Sequence, residues 1–435
     1  MPVTNHVPTG AGEPTLALTK KWTMYHKYIV GMLWLAMVFA YMDRINLSIA
    51  MPVLIKEYGV SPSSAGFLLS AFNIGIALSM LAIGPVTDIL RPKKVFPAGV
   101  ALWSIATWAA SLSPSVTFLA ITRAIVGVGE ASVIPSASRI IADIFRKEDR
   151  GKVVGIYFSG TKVGLTIGAP LAAAILSAYG WKAVFYVTGF ISAAWLLLWL
   201  PIYRESKGVV PPEIPEEDVR PEGVTWLSLL TYRSVWGVIL GQAGYLFIYF
   251  VFITWMPSYL VLERKMSILN TGFVAMLPFL VAVFSGIYSG WLADRWISRG
   301  GDLTTVRRTF IVGGFLFSTI FIIIAAYMES TSAAVLFLIL SMGALGMASP
   351  NVNALPIDIA PRHIVSSVAA LQNFGGNIGG AIAPILTGFL YQSTGSFQTA
   401  LIATGIIALV IGAGGNTIVL GKIEKSNSLG MKRSV

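Results

Sequence analysis

Gly84-Pro-Val-Thr-Asp88-Ile-Leu-Arg91 follows the second long apolar run of the chain, and Gly290-Trp-Leu-Ala-Asp294-Arg295-Trp-Ile-Ser-Arg299 follows the eighth. The two stretches share a glycine, an aspartate four residues on, and arginine close behind. Their equivalent places imply a duplicated unit whose copies are related by an axis along the membrane normal. Each glycine lets a neighbouring helix approach closely. Each aspartate can accept hydrogen bonds at a helix N-terminus and pair with the local arginine. Gly84, Asp88 and Arg91, with Gly290, Asp294 and Arg295, are therefore expected to gate, holding one side shut in one state and releasing it in another.

Outward from these motifs, the chain is built of apolar runs. It is 55% hydrophobic and 12% charged, with a mean hydropathy of +0.74; soluble domains carry about 25% charged residues. So little charge cannot cover a water-facing surface. The long runs favour membrane helices of about 20 residues over a barrel. Twelve spans are expected at 28–50, 64–86, 95–112, 116–142, 153–177, 182–202, 234–260, 270–293, 308–328, 333–355, 364–391 and 397–420. Residues 204–233 are polar, hold Pro211, Pro212, Pro215 and Pro221, and divide the chain into six-helix bundles at 28–203 and 234–421. Residues 1–27 and 422–435 are expected as cytoplasmic tails, the first without the apolar core of a signal peptide. The fold class is thus all-α, with twelve transmembrane helices in two pseudo-symmetric halves.

Of the 31 lysines and arginines, 23 fall on the side shared by both termini and four on the opposite side. That bias places termini and linker in the cytoplasm of a cell membrane. The net charge of +11 therefore reports topology, and a nucleic-acid partner is not expected. With no cysteine, disulfides and thiolate sites are excluded. His6, His26 and His363 lie in tails or loops, so no metal site is expected. No Gly-x-x-x-x-Gly-Lys-Ser/Thr run occurs, and neither ATP drive nor any cofactor is implied. No nucleophile–base set marks an enzyme.

Four ionisable residues lie deep within the predicted spans of the first half: Asp43 and Arg44 in the first, Arg123 and Glu130 in the fourth. Each costs about 2.5–3.5 kcal/mol on insertion scales, which makes a functional role the default. Arg123 and Glu130 are about two turns apart and share a face, with Gly127 and Gly129 between them for close helix approach. One reading is ion pairs that serve assembly alone. The other is coupling: an anion that takes an arginine strips a carboxylate of its partner, and the carboxylate then takes up a proton. In the second half Gln242, Tyr245 and Tyr249 share a helical face, either lining a cavity or joining helices. Asn373 and Asn377 sit among glycines that suit a bending helix. Asp358, at a helix end near Arg362, reads as structural; Arg139 and Asp143 read as a local ion pair; and Trp255 beside Pro257 is placed to cap a pocket.

The twelve runs, the linker and the paired loop motif resemble the major facilitator superfamily across nearly the whole chain. Tyr41-Met-Asp-Arg-Ile-Asn-Leu47, Ser70-Ala-Phe72, Arg123-Ala-x-x-Gly127-x-x-Glu130-Ala131 and Asn373-Phe-Gly-Gly376 resemble its anion:cation symporter branch, in particular bacterial sugar-acid transporters of galactonate and glucarate type. The resemblance implies that Asp43 and Glu130 carry the transported proton. It further implies that Arg44 meets the substrate carboxylate, Arg123 bridges the acids, and Asn373 meets substrate hydroxyls. Thr161, Lys162, Gln242 and Tyr249 complete the expected substrate-binding set. Three departures stand out: Ile76 replaces a tyrosine, Thr161 replaces a frequent glutamine, and Lys162 replaces an apolar residue. A further cation suits a dicarboxylate, a phosphorylated compound or a less hydroxylated acid; alternatively Lys162, turned about 100° from Thr161, snorkels or pairs within the bundle. The expected protein is a monomeric secondary transporter whose partners are a small organic anion, protons and the lipid bilayer. An exchanger of phosphorylated anions and a non-transporting ligand sensor are the alternatives.

Overall fold

The computed structural model describes residues 22–203, 226–360 and 364–419. Most of the first expected tail, all of the second, most of the 204–233 linker and Arg362 lie outside the described residues. Twelve long helical segments follow one another: α1 Met24–Tyr58, α2 Pro62–Leu90, α3 Pro92–Ala110, α4 Val116–Ile144, α5 Lys147–Tyr179 and α6 Trp181–Ile202 form the first half. In the second, α7 is Arg233–Thr254, α8 Ile268–Ser298, α9 Leu303–Tyr327, α10 Thr331–Ile359, α11 Val365–Thr394 and α12 Phe397–Ala408, the last continued by wider turns to Val419. A short helix, Trp226–Leu229, precedes α7. Ten of the twelve are long and apolar enough to cross a bilayer. The other two, α3 and α11, are long enough but more polar, α3 from Lys93 and Lys94 and α11 from Gln372, Asn373, Asn377 and Gln392. Leu197, Phe190 and Ile287 are more than two-thirds exposed on the outside of the bundle, a surface that only lipid covers without cost.

The helices outrun their apolar stretches. Gly84 and Asp88 lie inside α2, and Gly290, Asp294 and Arg295 inside α8, so the motifs expected after these helices form their last turns. Backbone hydrogen bonding continues past the hydrocarbon because the residues there tolerate water. At the end of α2, Arg91 stands at φ 64°, and Pro92 opens α3 at a position where a missing N–H costs nothing. Two breaks place functional side chains. α4 bends at Ala131–Ser132, because the ring of Pro135 clashes with the carbonyl four residues back, that of Ala131. Glu130 is the last residue before the bend. Pro257 interrupts the seventh helix in the same way around Trp255.

Close helix approach follows the glycines. A Cβ on Gly75 would lie 2.1 Å from the Ala124 carbonyl, and one on Gly127 2.2 Å from that of Phe72, so α4 lies tight against α2. A Cβ on Gly160 or Gly164 would meet the Trp34 or Val38 carbonyl at 2.7 and 2.4 Å, which seats α5 on α1. The halves themselves touch near one end. Ser70 Oγ donates to the Ala381 carbonyl (2.7 Å) and Asn73 Nδ2 to that of Gly380 (3.1 Å). Cβ atoms on Gly66 and Gly388 would lie 2.5 and 2.3 Å from the Pro384 and Pro62 carbonyls. Between α5 and α8, a Cβ on Gly272 would meet Ala173 at 2.3 Å and the Ala169 carbonyl at 2.8 Å. Towards the other end Gly84 has nothing within 4 Å of a Cβ position, and Asp294 is exposed. The halves are therefore in close contact where α2 begins.

Candidate functional site

Mid-bundle, α1 and α4 bring together all four charges expected there. Arg44 donates from Nε (3.1 Å) and Nη2 (3.0 Å) to one oxygen of Glu130, Oε2. The second oxygen, Oε1, is buried without a hydrogen-bond partner. The Arg44 guanidinium also lies 4.0 Å from the centroid of Tyr41 and 4.7 Å from that of Phe72, both within cation–π range. Asp43, Arg123 and Glu130 are 1%, 1% and 4% exposed. Such burial makes each charge dependent on its neighbours, since an unpaired one costs several kcal/mol.

Arg123 lies within electrostatic range of both acids, and it hydrogen-bonds to backbone. Its Nη2 donates to the backbone carbonyl of Asp43 (3.0 Å), while Nε and Nη1 are buried without partners. The Asp43 carboxylate instead accepts from Asn46 Nδ2 (3.1 Å) and Ser192 Oγ (3.3 Å), and Asn46 is itself fixed by Thr188 Oγ1 at 2.8 Å. Thr188 and Ser192 are four apart on α6, a pair of hydroxyls on one face of an otherwise apolar helix. That spacing is legible in the sequence and was the available signal for them. A small cavity opens beside these groups where the halves meet. Arg44, Ser48, Phe72 and Arg123 line it from one half, Phe250, Ile253 and Thr254 from the other.

Lys162 and Tyr249 form a second contact across the halves. The ammonium is 3.5 Å from the Tyr249 hydroxyl and 4.8 Å from its ring centroid. Tyr245 stacks on Tyr249 at 5.8 Å, so these two members of the expected stripe on α7 share a face. The remaining candidates are placed apart. Thr161 is buried and donates to the Phe158 carbonyl of its own helix (2.8 Å). Gln242 is buried beside Gly376 with Oε1 unpartnered. Asn373 is exposed, donating to the Ala369 carbonyl (2.9 Å), and its own carbonyl accepts from Asn377 (2.8 Å). Of the gating set, Arg295 lies over Trp291 at 5.2 Å, a Cβ on Gly290 would meet Pro350 at an ordinary 3.5 Å, and the Asp88 side chain lies outside the described residues.

The second half holds an ion pair within its helices. Asp358 is held by Arg307 Nε at 2.8 Å, and Arg307 Nη1 also donates to Asn351 Oδ1 at 3.0 Å. Arg307 is thus buried in α9 and pairs with Asp358 of α10, which agrees with the structural reading of Asp358. Arg139 and Asp143 pair locally at 3.2 Å as expected. Trp255 is fully buried, donates to the Pro384 carbonyl (3.0 Å), and with Tyr259 and Phe397 lines an apolar cavity near the shut end.

The model of the Major Facilitator Superfamily matches residues 33–384 and 301–428. Over 414 residues the chain is 30% identical to a D-galactonate transporter of Escherichia coli O6:H1, covering 91% of this chain and 95% of that one. It is 31% identical over 422 residues to a probable galactarate/D-glucarate transporter of Escherichia coli K12, covering 90% and 92%. Among solved structures, a bacterial homologue of the human lysosomal transporter Spinster, inward-facing and occupied, superposes with a TM-score of 0.78 at 20% identity, covering 92% of this chain and 97% of that one. This likeness is one of fold. With twelve helices in two halves and a charged mid-bundle site, the chain belongs to the major facilitator superfamily, a family of multi-pass membrane transporters and not of enzymes.

Proposed function

We propose that the protein imports a small organic anion together with protons, by alternating access of a site centred on Arg44. The observation that carries this reading is the lopsided Arg44–Glu130 pair. Two donors of Arg44 converge on one carboxylate oxygen while the other oxygen has no partner, beside a cavity shared by both halves. An incoming carboxylate offers Arg44 the bidentate geometry that Glu130 does not. Glu130, displaced into a buried environment without its cation, then takes a proton, so anion and proton enter together. Asp43, fixed by Asn46 and Ser192, is the second proton carrier, and Arg123 ties α4 to the backbone of α1 beside it. Thr161, Gln242, Tyr249 and Asn373 supply the remaining surface for substrate. The galactonate and galactarate/glucarate relatives support the choice of a sugar acid or dicarboxylate.

In this reading the end where α2 finishes faces the cytoplasm of a cell membrane, together with both termini, an orientation that the distribution of lysine and arginine supports. The Gly84-Asp88-Arg91 and Gly290-Asp294-Arg295 motifs lie at that end. They engage when it closes. The test is uptake of labelled D-galactonate and D-galactarate into proteoliposomes of the purified protein under an imposed pH gradient. Accumulation is expected only with the outside acidic. Uptake indifferent to the gradient removes the proton from the scheme, and counterflow without any gradient dependence identifies an exchanger.

A further inference from the structure

Lys162 is a cation for which the described residues supply no counter-charge. Its neighbours are tyrosines, with Tyr249 in contact and Tyr41 and Tyr245 nearby. Both mid-bundle acids are engaged elsewhere, Glu130 by Arg44 and Asp43 by Asn46 and Ser192. A tyrosine hydroxyl stays neutral well above pH 7, so Tyr249 orients the ammonium without neutralising it. Nor does Lys162 snorkel to a membrane face. It stands 15 residues from Lys147 and 17 from Tyr179 in α5, about 22 and 25 Å along the axis at 1.5 Å per residue, beyond any lysine's reach.

Its direction follows from the packing of α5. Lys162 and Ala169 are about two turns apart and share a face, and Ala169 lies against Gly272 of α8 in the shut seam between the halves. Along the same face Lys162 is therefore turned toward the second half. It meets Tyr249, whose neighbour Phe250 lines the cavity that also holds Arg44 and Arg123. Tyr249 is within electrostatic range of both Arg44 and Lys162. Three cations thus stand against two carboxylates at mid-bundle. Once both carboxylates are protonated, all three lack a counter-charge.

We propose that Arg44 and Lys162 hold the two ends of one substrate, and that this substrate is a small dicarboxylate. The inference rests on the reading of Arg44 as the anion site and deepens it. Arg44 takes one carboxylate in place of Glu130; Lys162, oriented by Tyr249 from the other half, takes the second. A diacid would then touch both halves through Lys162 and Tyr249, which links its binding to their relative movement.

The test compares matched acids on the purified full chain, galactarate against galactonate and succinate against 4-hydroxybutyrate, with dissociation constants taken from ligand-dependent thermal stabilisation. Each diacid is expected to bind about ten-fold or more tightly than its monoacid, the worth of one hydrogen-bonded charge pair. Lys162→Met should bring that ratio towards one, and Lys162→Arg should keep it. Equal binding of diacid and monoacid by the wild type, tighter binding of the monoacids, or an unchanged ratio in Lys162→Met overturns the inference while leaving the anion site at Arg44 intact. Failure of all four acids to bind defeats the reading of Arg44 and this inference with it. Should Lys162→Met not be recovered folded, the wild-type ratio decides alone.

Discussion

Replacing Glu130 by glutamine should strengthen anion binding instead of abolishing it. In the structure the Glu130 carboxylate occupies the Arg44 guanidinium through contacts of 3.1 and 3.0 Å, so it competes with any anion for the same donors. Hydrogen bonds to charged groups are worth about 1.5–3 kcal/mol, and an amide in place of the carboxylate forfeits most of that competition. Anion affinity should therefore rise about 10- to 100-fold at a pH where Glu130 is ionised. The sign with pH follows. In the wild type, low pH protonates Glu130 and frees Arg44, and binding weakens as pH rises and Glu130 reclaims it. Glu130→Gln mimics the protonated form, so its affinity should be high throughout and nearly flat, any remaining slope coming from Asp43. The assay is the dissociation constant of galactarate between pH 5 and 8 by thermal stabilisation or intrinsic tryptophan fluorescence. A Glu130→Gln protein that binds more weakly than wild type at every pH would refute competition and return Glu130 to a purely structural role.

Three further predictions concern the frame of the site. Gly127→Ala should lower stability by about 3 kcal/mol, because the new Cβ would lie 2.2 Å from the Phe72 carbonyl, whereas Gly313→Ala, with nothing within 4 Å, should be neutral or slightly stabilising; thermal unfolding in detergent compares them. Arg307→Ala should cost about 3 kcal/mol by stranding Asp358, and removing Asp358 as well should recover part of the loss in the same measurement. Gly388→Leu should push apart the shut end, where a Cβ already approaches the Pro62 carbonyl to 2.3 Å. Because the chain has no native cysteine, a Ser70→Cys reporter in the seam can be followed cleanly. Its maleimide labelling should quicken about ten-fold as the population shifts, and an unchanged rate would show that the seam does not gate.

The helices were legible because apolar runs near the length of a bilayer leave few alternatives, and the duplicated Gly–Asp–Arg motif showed where the halves correspond. The site was legible for a related reason: Asp43, Arg44, Arg123 and Glu130 are charges inside such runs. Their pairing was not. Arg44 and Arg123 both lie within reach of the acids in sequence terms, and only the three-dimensional placement of α1 against α4 has Arg44 on the Glu130 carboxylate and Arg123 on a backbone carbonyl. Arg307 was hidden because it stands in the first turns of α9, where a cation ordinarily reaches water. Its partners Asn351 and Asp358 come from the far end of α10, and no local spacing announces such a contact. Lys162 was visible as an anomaly, but its partner Tyr249 belongs to the other half. Sequence left open whether the Gln242–Tyr249 stripe lines a cavity or packs helices; the structure has Tyr249 meeting Lys162 across the halves and Gln242 packed beside Gly376.

The central claim is that an anion and Glu130 alternate on Arg44, with a proton moving to Glu130 when the anion binds. It is tested most directly by calorimetric titration of galactarate into the purified protein near neutral pH, in buffers of differing ionisation enthalpy, which counts protons taken up on binding. The account predicts uptake of about one proton per anion bound by the wild type, and markedly less by Glu130→Gln. Binding with no proton uptake, or equal uptake by the two proteins, would contradict it.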